Sequence, residues 1–436
     1  MSSVALVSAY ETMLLSFGCC FTRPTAANFA TVIVGWTLCL GRPTVVRIVA
    51  SLVFGATRHL STYHRFFSTA RWSPDDLWRV FLVHVVVPNL VPEGPIAIAA
   101  DDTTCEKYGR RVAYAGRYRD AVRSNPAQLV VHWAHNWVIL TMLYRSPLWP
   151  LRVIAIPVMA RLYRKAEQCD QAHPFGTRAQ LVVGMMRELA DWLPGREFEV
   201  VADGAYPSEE LLAELPARAS FTSRLRADAT LFGLPPAARR RRMGRPRRKG
   251  APLPKLAAIA RRRTGWVRRV LVLYGRRRRR ELYEFTALWW HVAKGRPLKV
   301  VIVRDPRGRE KDDYFFTTDT AMDAGHLVEL FAARWGIEEA IREAKQLVGF
   351  DDVQGWRAET VERQAPLALL VLGLAKVWYL VHVAPREHAR GFPSTASMLT
   401  RLRMSYWQQR LSQLQAPRRE TQKLAKALGS ALAAAA

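Results

Sequence analysis

The 436-residue sequence predicts an α/β fold, with a mixed sheet flanked by helices, a helical N-terminal region and an inserted β subdomain. Three observations predict it. Between residues 96 and 225, short apolar runs and helical repeats follow one another in the order β-β-β-α-β-α-β. Residues 1–92 carry apolar residues at three and four spacings with little strand-like alternation. Residues 282–318 alternate again, after a long basic stretch. Half the residues are hydrophobic and 14 are Trp, enough for a sizeable core, which excludes a wholly disordered chain. At roughly 150 residues each, about three domains fit this length.

Each element has its own warrant. In the N-terminal region Pro24, Pro43 and Pro74 punctuate the helices. Residues 42–73 read as two helices around a turn near Gly55, the second carrying Arg58, His59, Tyr63, His64 and Arg65. That is either a helix-turn-helix reader or part of a plain bundle. After Pro95 the run IAIAA (96–100) is a strand ending at Asp101-Asp102, and residues 128–143 and 151–158 supply two more strands. Residues 177–193 repeat like a helix. FEVVAD (198–203) is a fourth strand, again ending in an aspartate. Ser208 caps a helix over 207–215, and 219–225 is a fifth strand. Strand ends in α/β sheets are where ligands and catalytic groups collect. LYEFTALWW, LKVVIV and DYFFTT form the β insertion. A helix capped by Asp323 runs to about Leu347 and ends before Gly349. Residues 365–385 are apolar enough to span a bilayer, but Lys376 and His382 interrupt them, which predicts a buried helix and no membrane partner.

The charge balance points to a polyanion. Lys and Arg total 65 against 37 Asp and Glu, a formal net of +28. Residues 239–280 hold 19 of the cations and no acid, around the turn-rich string GRPRRKG, which contains Arg245, Arg247 and Arg248. The block either grips phosphates or is a solvated linker. Five cysteines, none in a Cys-x-x-Cys pair, fit a reducing compartment, and no signal peptide is evident. No Gly-rich phosphate loop is present, so nucleotide hydrolysis is not expected. His132 and His135 have metal-pair spacing for a helix, but on a strand they face opposite sides.

On the helix 323–347, Arg334, Glu338 and Lys345 fall within about 40° of one another at roughly 100° per residue. Alone this is a surface ion pair worth a few tenths of a kcal/mol. With Asp102 and Asp203 it becomes three carboxylates from distant parts of the chain, an oxygen donor set suited to Mg²⁺. Acidic groups at a DNA-facing site need a cation between them and phosphate, and two Mg²⁺ ions supply the two-metal route to phosphodiester cleavage.

These residues resemble a family. Phe331-Ala-Ala-Arg334-Trp-Gly-Ile-Glu338 followed six residues later by Lys345 is similar to the Tyr-x2-Arg-x3-Glu-x6-Lys signature of bacterial insertion-sequence transposases of the DDE type, which have an RNase H-like core. Asp102-Thr103-Thr104 matches the first acidic motif and VVADGAYPSEE around Asp203 the second. Phe331 replaces the usual Tyr, and Asp101 competes with Asp102 for the first position; Asp102 is preferred because it directly precedes the Thr pair. The resemblance covers roughly residues 40–385.

The resemblance implies the following assignments. Residues 1–92 form a helical DNA-binding region, 93–230 and 321–385 the two parts of the RNase H-like core, 231–320 the basic arm and inserted β subdomain, and 386–436 a basic helical tail. Asp102, Asp203 and Glu338 hold two Mg²⁺ ions, for which Mn²⁺ can substitute. Arg334 and Lys345 contact phosphates flanking the cut, as do Arg245, Arg247 and Arg248 of the arm. Trp266, Trp289 and Trp290 are candidates for base stacking, although core packing is the favoured explanation for each. The partners are double-stranded DNA, both inverted-repeat ends and target, and a second copy in a homodimer or larger synaptic complex. The protein is expected in the bacterial cytoplasm, at the nucleoid. The rivals are a catalytically silent DNA-binding derivative, a nuclease or resolvase without strand transfer, and an RNA-binding protein, the last disfavoured by the absence of RNA-binding motifs.

Overall fold

The structure is a computed structural model that describes the chain apart from residues 1, 53–57, 121–122, 126, 172, 237–246, 388–390, 414–422, 425 and 431–436. The N-terminal region is helical as expected: α1 (Ser3–Leu15), α2 (Arg23–Leu38), α3 (Val45–Ala50), α4 (Leu60–Ser68), α5 (Pro74–Val80) and, after a π-turn, α6 (Val87–Leu90). Tyr63, Phe66 and Phe67 of α4 are buried. Gly55, the expected turn of the helix-turn-helix reading, lies outside the described residues.

The central sheet uses β1 (Ile96–Glu106), β2 (Gly116–Arg119), β3 (Val131–Tyr144), β4 (Ile154–Tyr163), β5 (Phe198–Ala202) and β6 (Ala219–Arg224). Helix α7 (Arg178–Trp192) precedes β5 and α8 (Glu209–Glu214) follows it. Strands β4, β3 and β1 are antiparallel neighbours, and β5 and β6 continue on the other side of β1 in parallel. Three antiparallel strands joined through the first to two parallel ones, with helices against the faces, is the RNase H-like arrangement. The five strands read from the sequence are all present. Two run on past their expected ends: β4 continues to Tyr163, and β1 does not stop at the aspartates but continues to Glu106, because the long partner β3 pairs with it from Ile98↔Met142 to Glu106↔Ala134. Asp101 and Asp102 therefore lie inside a strand.

The second half of the sheet comes from the insertion. After the short α9 (Leu256–Ile259) come β7 (Val267–Leu273) and β8 (Arg276–Leu288), then α10 (Trp290–Ala293), β9 (Pro297–Arg304) and β10 (Asp313–Thr317). Strand β10 pairs with β6, and β9, β8 and β7 follow outward, so the same sheet extends to ten strands. The arginine run 276–280, read as part of an arm, is the first half of β8. Ladder bonds use only the backbone, so exposed arginines are compatible with a strand whose side chains reach water. Tyr274 and Gly275 turn the β7–β8 hairpin with φ of 51° and 76°, the left-handed pair that matches strand twist.

The expected helix 323–347 is two segments, α11 (Ala324–Ala333) and α12 (Trp335–Val348), meeting at Arg334. The Asp323 carboxylate accepts from His326 N–H at 3.0 Å, and Gly349 (φ 63°) ends α12. The apolar helix α13 (Ala358–Trp378) runs through the interior, followed by α14 (Ala384–Glu387) and α15 (Thr395–Gln413). The stretches Ser3–Cys20 and Ala358–Glu387 are long and apolar enough to cross a membrane, and the second is packed inside the protein. Lys376, in its middle, donates to Ala155 O at 2.9 Å and to Glu343 at 2.7 Å, which satisfies a cation buried in an apolar helix. One continuous core links the N-terminal helices to the sheet; Trp36 donates to Val348 O and Trp378 to Leu6 O, each at 2.9 Å.

Candidate active site

Successive side chains on a strand point to opposite faces, so Asp101 and Asp102 cannot share a site. Asp101 faces α12. Its Oδ2 lies 3.2 Å from Arg334 Nη1, and Arg334 Nη2 lies 2.8 Å from Glu338 Oε1. A single buried guanidinium thus bridges two carboxylates. Asp203 reaches the same edge by register. Strands β1 and β5 are parallel and paired through Ala100↔Ala202, so the next position on each strand is Asp101 on one and Asp203 on the other. Asp203 follows the last residue of β5 and is exposed in the turn beside the strand that carries Asp101.

Burial pushes the Asp101 carboxyl up to about 6; Arg334 opposes the shift, and the charges of Asp102 and Glu338 add to it. Two carboxylates that repel and are held together by a cation form a site prepared for positive charge. Among the described residues no three Asp, Glu, His or Cys side chains stand close enough to hold one ion, and Arg334 sits where two of the carboxylates converge. The donor set is oxygen only and suits Mg²⁺ or Mn²⁺.

The expected first carboxylate was Asp102, but it is Asp101 that stands beside Arg334 and Glu338. Asp102 lies on the far face of β1, where its Oδ2 accepts from Asn136 Nδ2 at 2.8 Å and stands 3.1 Å from Arg178 Nε, while Oδ1 accepts from Tyr206 at 3.1 Å. Three protein groups from three other elements thus hold the Asp102 carboxylate. Nothing in the sequence said which of two adjacent aspartates faces the Glu338 helix; β1 had to be seen against α12. Asn136, Arg178 and Tyr206 were likewise missed, because one lies in an apolar strand, one opens a helix and one sits in a turn.

Lys345 does not face open solvent. Its Nζ donates to Thr103 Oγ1 at 2.9 Å and to Thr104 O at 2.7 Å, fastening α12 to β1. Phe331 packs against Phe315, with ring centroids 4.6 Å apart, and lies under the Arg334 guanidinium. The tryptophans separate. Trp289 is buried edge-on to Phe316 and belongs to the core. Trp266 is covered by the Arg304 guanidinium 4.1 Å from its ring, and Trp290 lies beneath Lys249. His132 is beside Asp120, and His135 bonds Ala113 O, so the two do not converge.

Of the arm, Arg245 lies outside the described residues, and Arg247 and Arg248 are exposed. Further arginines of the basic block 239–280 form a groove with two that the sequence reading missed, Arg307 and Arg309. Arg268 and Arg269 of β7, Arg277 and Arg279 of β8, and Arg307 and Arg309 line an open groove of about 970 Å³. Arg278 and Arg280 at its side are neutralised by Glu310, and Arg280 also by Asp305. Arg307 and Arg309 belong to a separate loop, so the basic block announced one wall of the groove and not the other.

Comparison with known proteins gives a family. The DDE superfamily endonuclease family matches residues 16–284. No curated protein matches the chain. Among solved structures the chain is similar to the piggyBac transposase synaptic complex with hairpin DNA, determined by cryo-EM, at 10% identity and a TM-score of 0.41, covering 98% of this chain and 84% of that one.

Proposed function

The chain belongs to the DDE superfamily endonucleases, and from that premise we propose that it is a DNA transposase that cuts at the ends of an insertion sequence and joins the freed 3′-OH to target DNA. The observation that carries the reading is the Arg334 bridge between Asp101 of β1 and Glu338 of α12, with Asp203 following the last residue of the neighbouring strand β5. The first acidic position is Asp101. The three carboxylates would hold two Mg²⁺ ions, with Mn²⁺ as substitute. When bound, the ions lower the pKa of the attacking water or hydroxyl and neutralise charge on the phosphate.

The protein's own groups do the rest. Arg334, which pairs with Asp101 and Glu338, would bind a phosphate flanking the cut. Lys345 holds the Glu338 helix on β1. Arg247, Arg248 and the groove arginines bind the DNA backbone and fix its register, so catalysis rests on positioning and charge neutralisation. In the first step a water oxygen attacks phosphorus and the P–O3′ bond breaks, leaving a 3′-OH and a 5′-phosphate. In the second that 3′-OH attacks a target phosphodiester and displaces the target's 3′-oxygen. Neither step needs a covalent protein–DNA bond. Two ends must be cut and joined together, which calls for a homodimer or larger synaptic complex working at the nucleoid of a bacterial cytoplasm.

The test uses a duplex carrying the inverted repeats that flank the gene, incubated with Mg²⁺, with EDTA, and with Glu338→Gln protein. Metal-dependent nicking at the repeat boundary and joining to a second duplex, both lost in the variant while binding persists, is the expected result. Nicking without joining leaves a nuclease. Salt-sensitive binding with no cleavage, unchanged by the substitution, overturns the enzymatic reading.

A further inference from the structure

We infer that Asp102, with Tyr206, Asn136 and Arg178, is a positioning clamp that holds the Asp203 turn against β1, and that it is not a metal ligand. The inference rests on the assignment of Asp101, Asp203 and Glu338 above. Asp102 gathers side chains from three other elements. Asn136, almost completely buried on β3, gives its Nδ2–H to Asp102 Oδ2, and its own Oδ1 accepts from Arg178 Nε at 3.0 Å. Arg178 opens α7, stands 3.1 Å from the same Asp102 oxygen, and lies over the Tyr163 ring at 4.9 Å. These contacts use Oδ2. The other oxygen, Oδ1, takes the hydroxyl of Tyr206, a residue only 5% exposed.

Tyr206 is the link to the site. Its backbone N–H donates to Asp203 O at 3.1 Å, closing the turn that carries Asp203 out of β5. Beyond Ala202 the β1–β5 ladder ends, so no ladder bond holds Asp203. The phenol of Tyr206 then anchors the turn to the far face of β1, one residue from Asp101. Asp102 also acts on the near face through its backbone: its N–H donates to Asp101 Oδ1 at 2.9 Å. One residue therefore sets the position of two of the three proposed ligands. Groups that orient metal ligands in this way change metal affinity about 10–100-fold when removed, without being ligands themselves.

The experiment compares Tyr206→Phe, Asp102→Asn and Asp101→Asn in the full chain, with three readouts. Mn²⁺ binding is followed by electron paramagnetic resonance without DNA, cleavage is titrated against Mg²⁺, and folding is checked by thermal unfolding. For Tyr206→Phe, which keeps the ring volume, the clamp predicts a folded protein, Mn²⁺ binding weakened about tenfold or more, and cleavage restored by raising Mg²⁺. Asp102→Asn should shift in the same sense and also be rescued by excess metal, whereas Asp101→Asn should not cleave at any concentration. Unchanged Mn²⁺ binding and an unchanged Mg²⁺ titration for Tyr206→Phe overturn the inference. So does an Asp102→Asn protein that folds but is beyond rescue while Tyr206→Phe behaves as wild type, because Asp102 is then a ligand. If Asp102→Asn does not fold, Tyr206→Phe decides alone. A wild-type protein that binds Mn²⁺ but cuts no DNA defeats the transposase reading, while the Mn²⁺ comparison still decides the clamp.

Discussion

Replacing Asp101 by Asn should make the metal-free protein more stable at neutral pH and leave it unchanged in acid. The Asp101 side chain is about one-fifth exposed, and burial raises its carboxyl from 3.8 to about 6 despite the neighbouring Arg334. Between those two values the folded protein binds a proton that the unfolded chain does not. The stability this group supplies is therefore fully present below about pH 4 and is lost as pH rises through about 6. A shift of about two units at ~1.4 kcal/mol each corresponds to about 3 kcal/mol, less after the residual solvent screening, so about 2–3 kcal/mol. Asn cannot ionise, and its amide oxygen can still accept from Asp102 N–H. For a chain of this length the gain corresponds to about 3 °C in midpoint. The assay is urea unfolding of both proteins, free of metal and DNA, from pH 4 to 8. The stability difference should be near zero at pH 4, grow through the interval up to about 6, and level off in favour of the variant by about 2–3 kcal/mol at pH 8. A difference that does not vary with pH, or a wild type that is the more stable at pH 8, refutes the claim that desolvation outweighs Arg334 at this carboxylate. The same substitution is expected to abolish cleavage, so the site is held at a cost in stability that function requires.

Other outcomes follow from the same structure. Lys345→Met should lose two charge-assisted hydrogen bonds and about 2 kcal/mol in chemical unfolding, while the salt dependence of DNA binding stays as in wild type; a slope lowered by about 0.9 would show instead that Lys345 neutralises a phosphate. The pair Arg277→Gln and Arg279→Gln, both exposed in the groove, should flatten the slope of log K against log salt by about 1.8 and leave the unfolding midpoint in place. Gly349→Ala should cost more than about 1 kcal/mol in a thermal melt, because φ is 63° there and a Cβ would lie 2.4 Å from Pro43 Cδ; an unchanged melt would mean that the α12 terminus relaxes freely.

Much of the architecture was legible along the chain because it is set by local period and local caps. The five core strands, the Asp323 and Ser208 caps, the stop at Gly349 and the interior course of α13 all follow from patterns within a few residues. The limits of that reading were also local. The strand 96–100 was ended at its first charged residue, since apolar alternation stops there, but the ladder with β3 carries β1 on to Glu106. The arginine run 276–280 reads as an arm because cations dominate it, whereas its backbone pairs with β7. The insertion's own strands were visible, but their attachment to the main sheet through β10 and β6 was not, since the pairing partners lie more than ninety residues apart.

What the sequence alone determined is the inventory: acidic residues at a strand, at a strand end and on a helix, a helix bearing Arg334, Glu338 and Lys345, and a large excess of arginine. What the tertiary structure decided is which of these meet. Alternation on a strand guarantees that Asp101 and Asp102 face opposite ways but cannot say which way; the packing of α12 on β1 puts Asp101 beside Glu338, and the packing of α7 and the 203–206 turn on the other face surrounds Asp102. Lys345 shows the same division. Its helical face was correct from spacing, yet only the closeness of Thr103 and Thr104 turns it from a free cation into a fastening between helix and strand. Period and propensity act over a few residues, whereas the identity of a site depends on contacts between residues hundreds of positions apart.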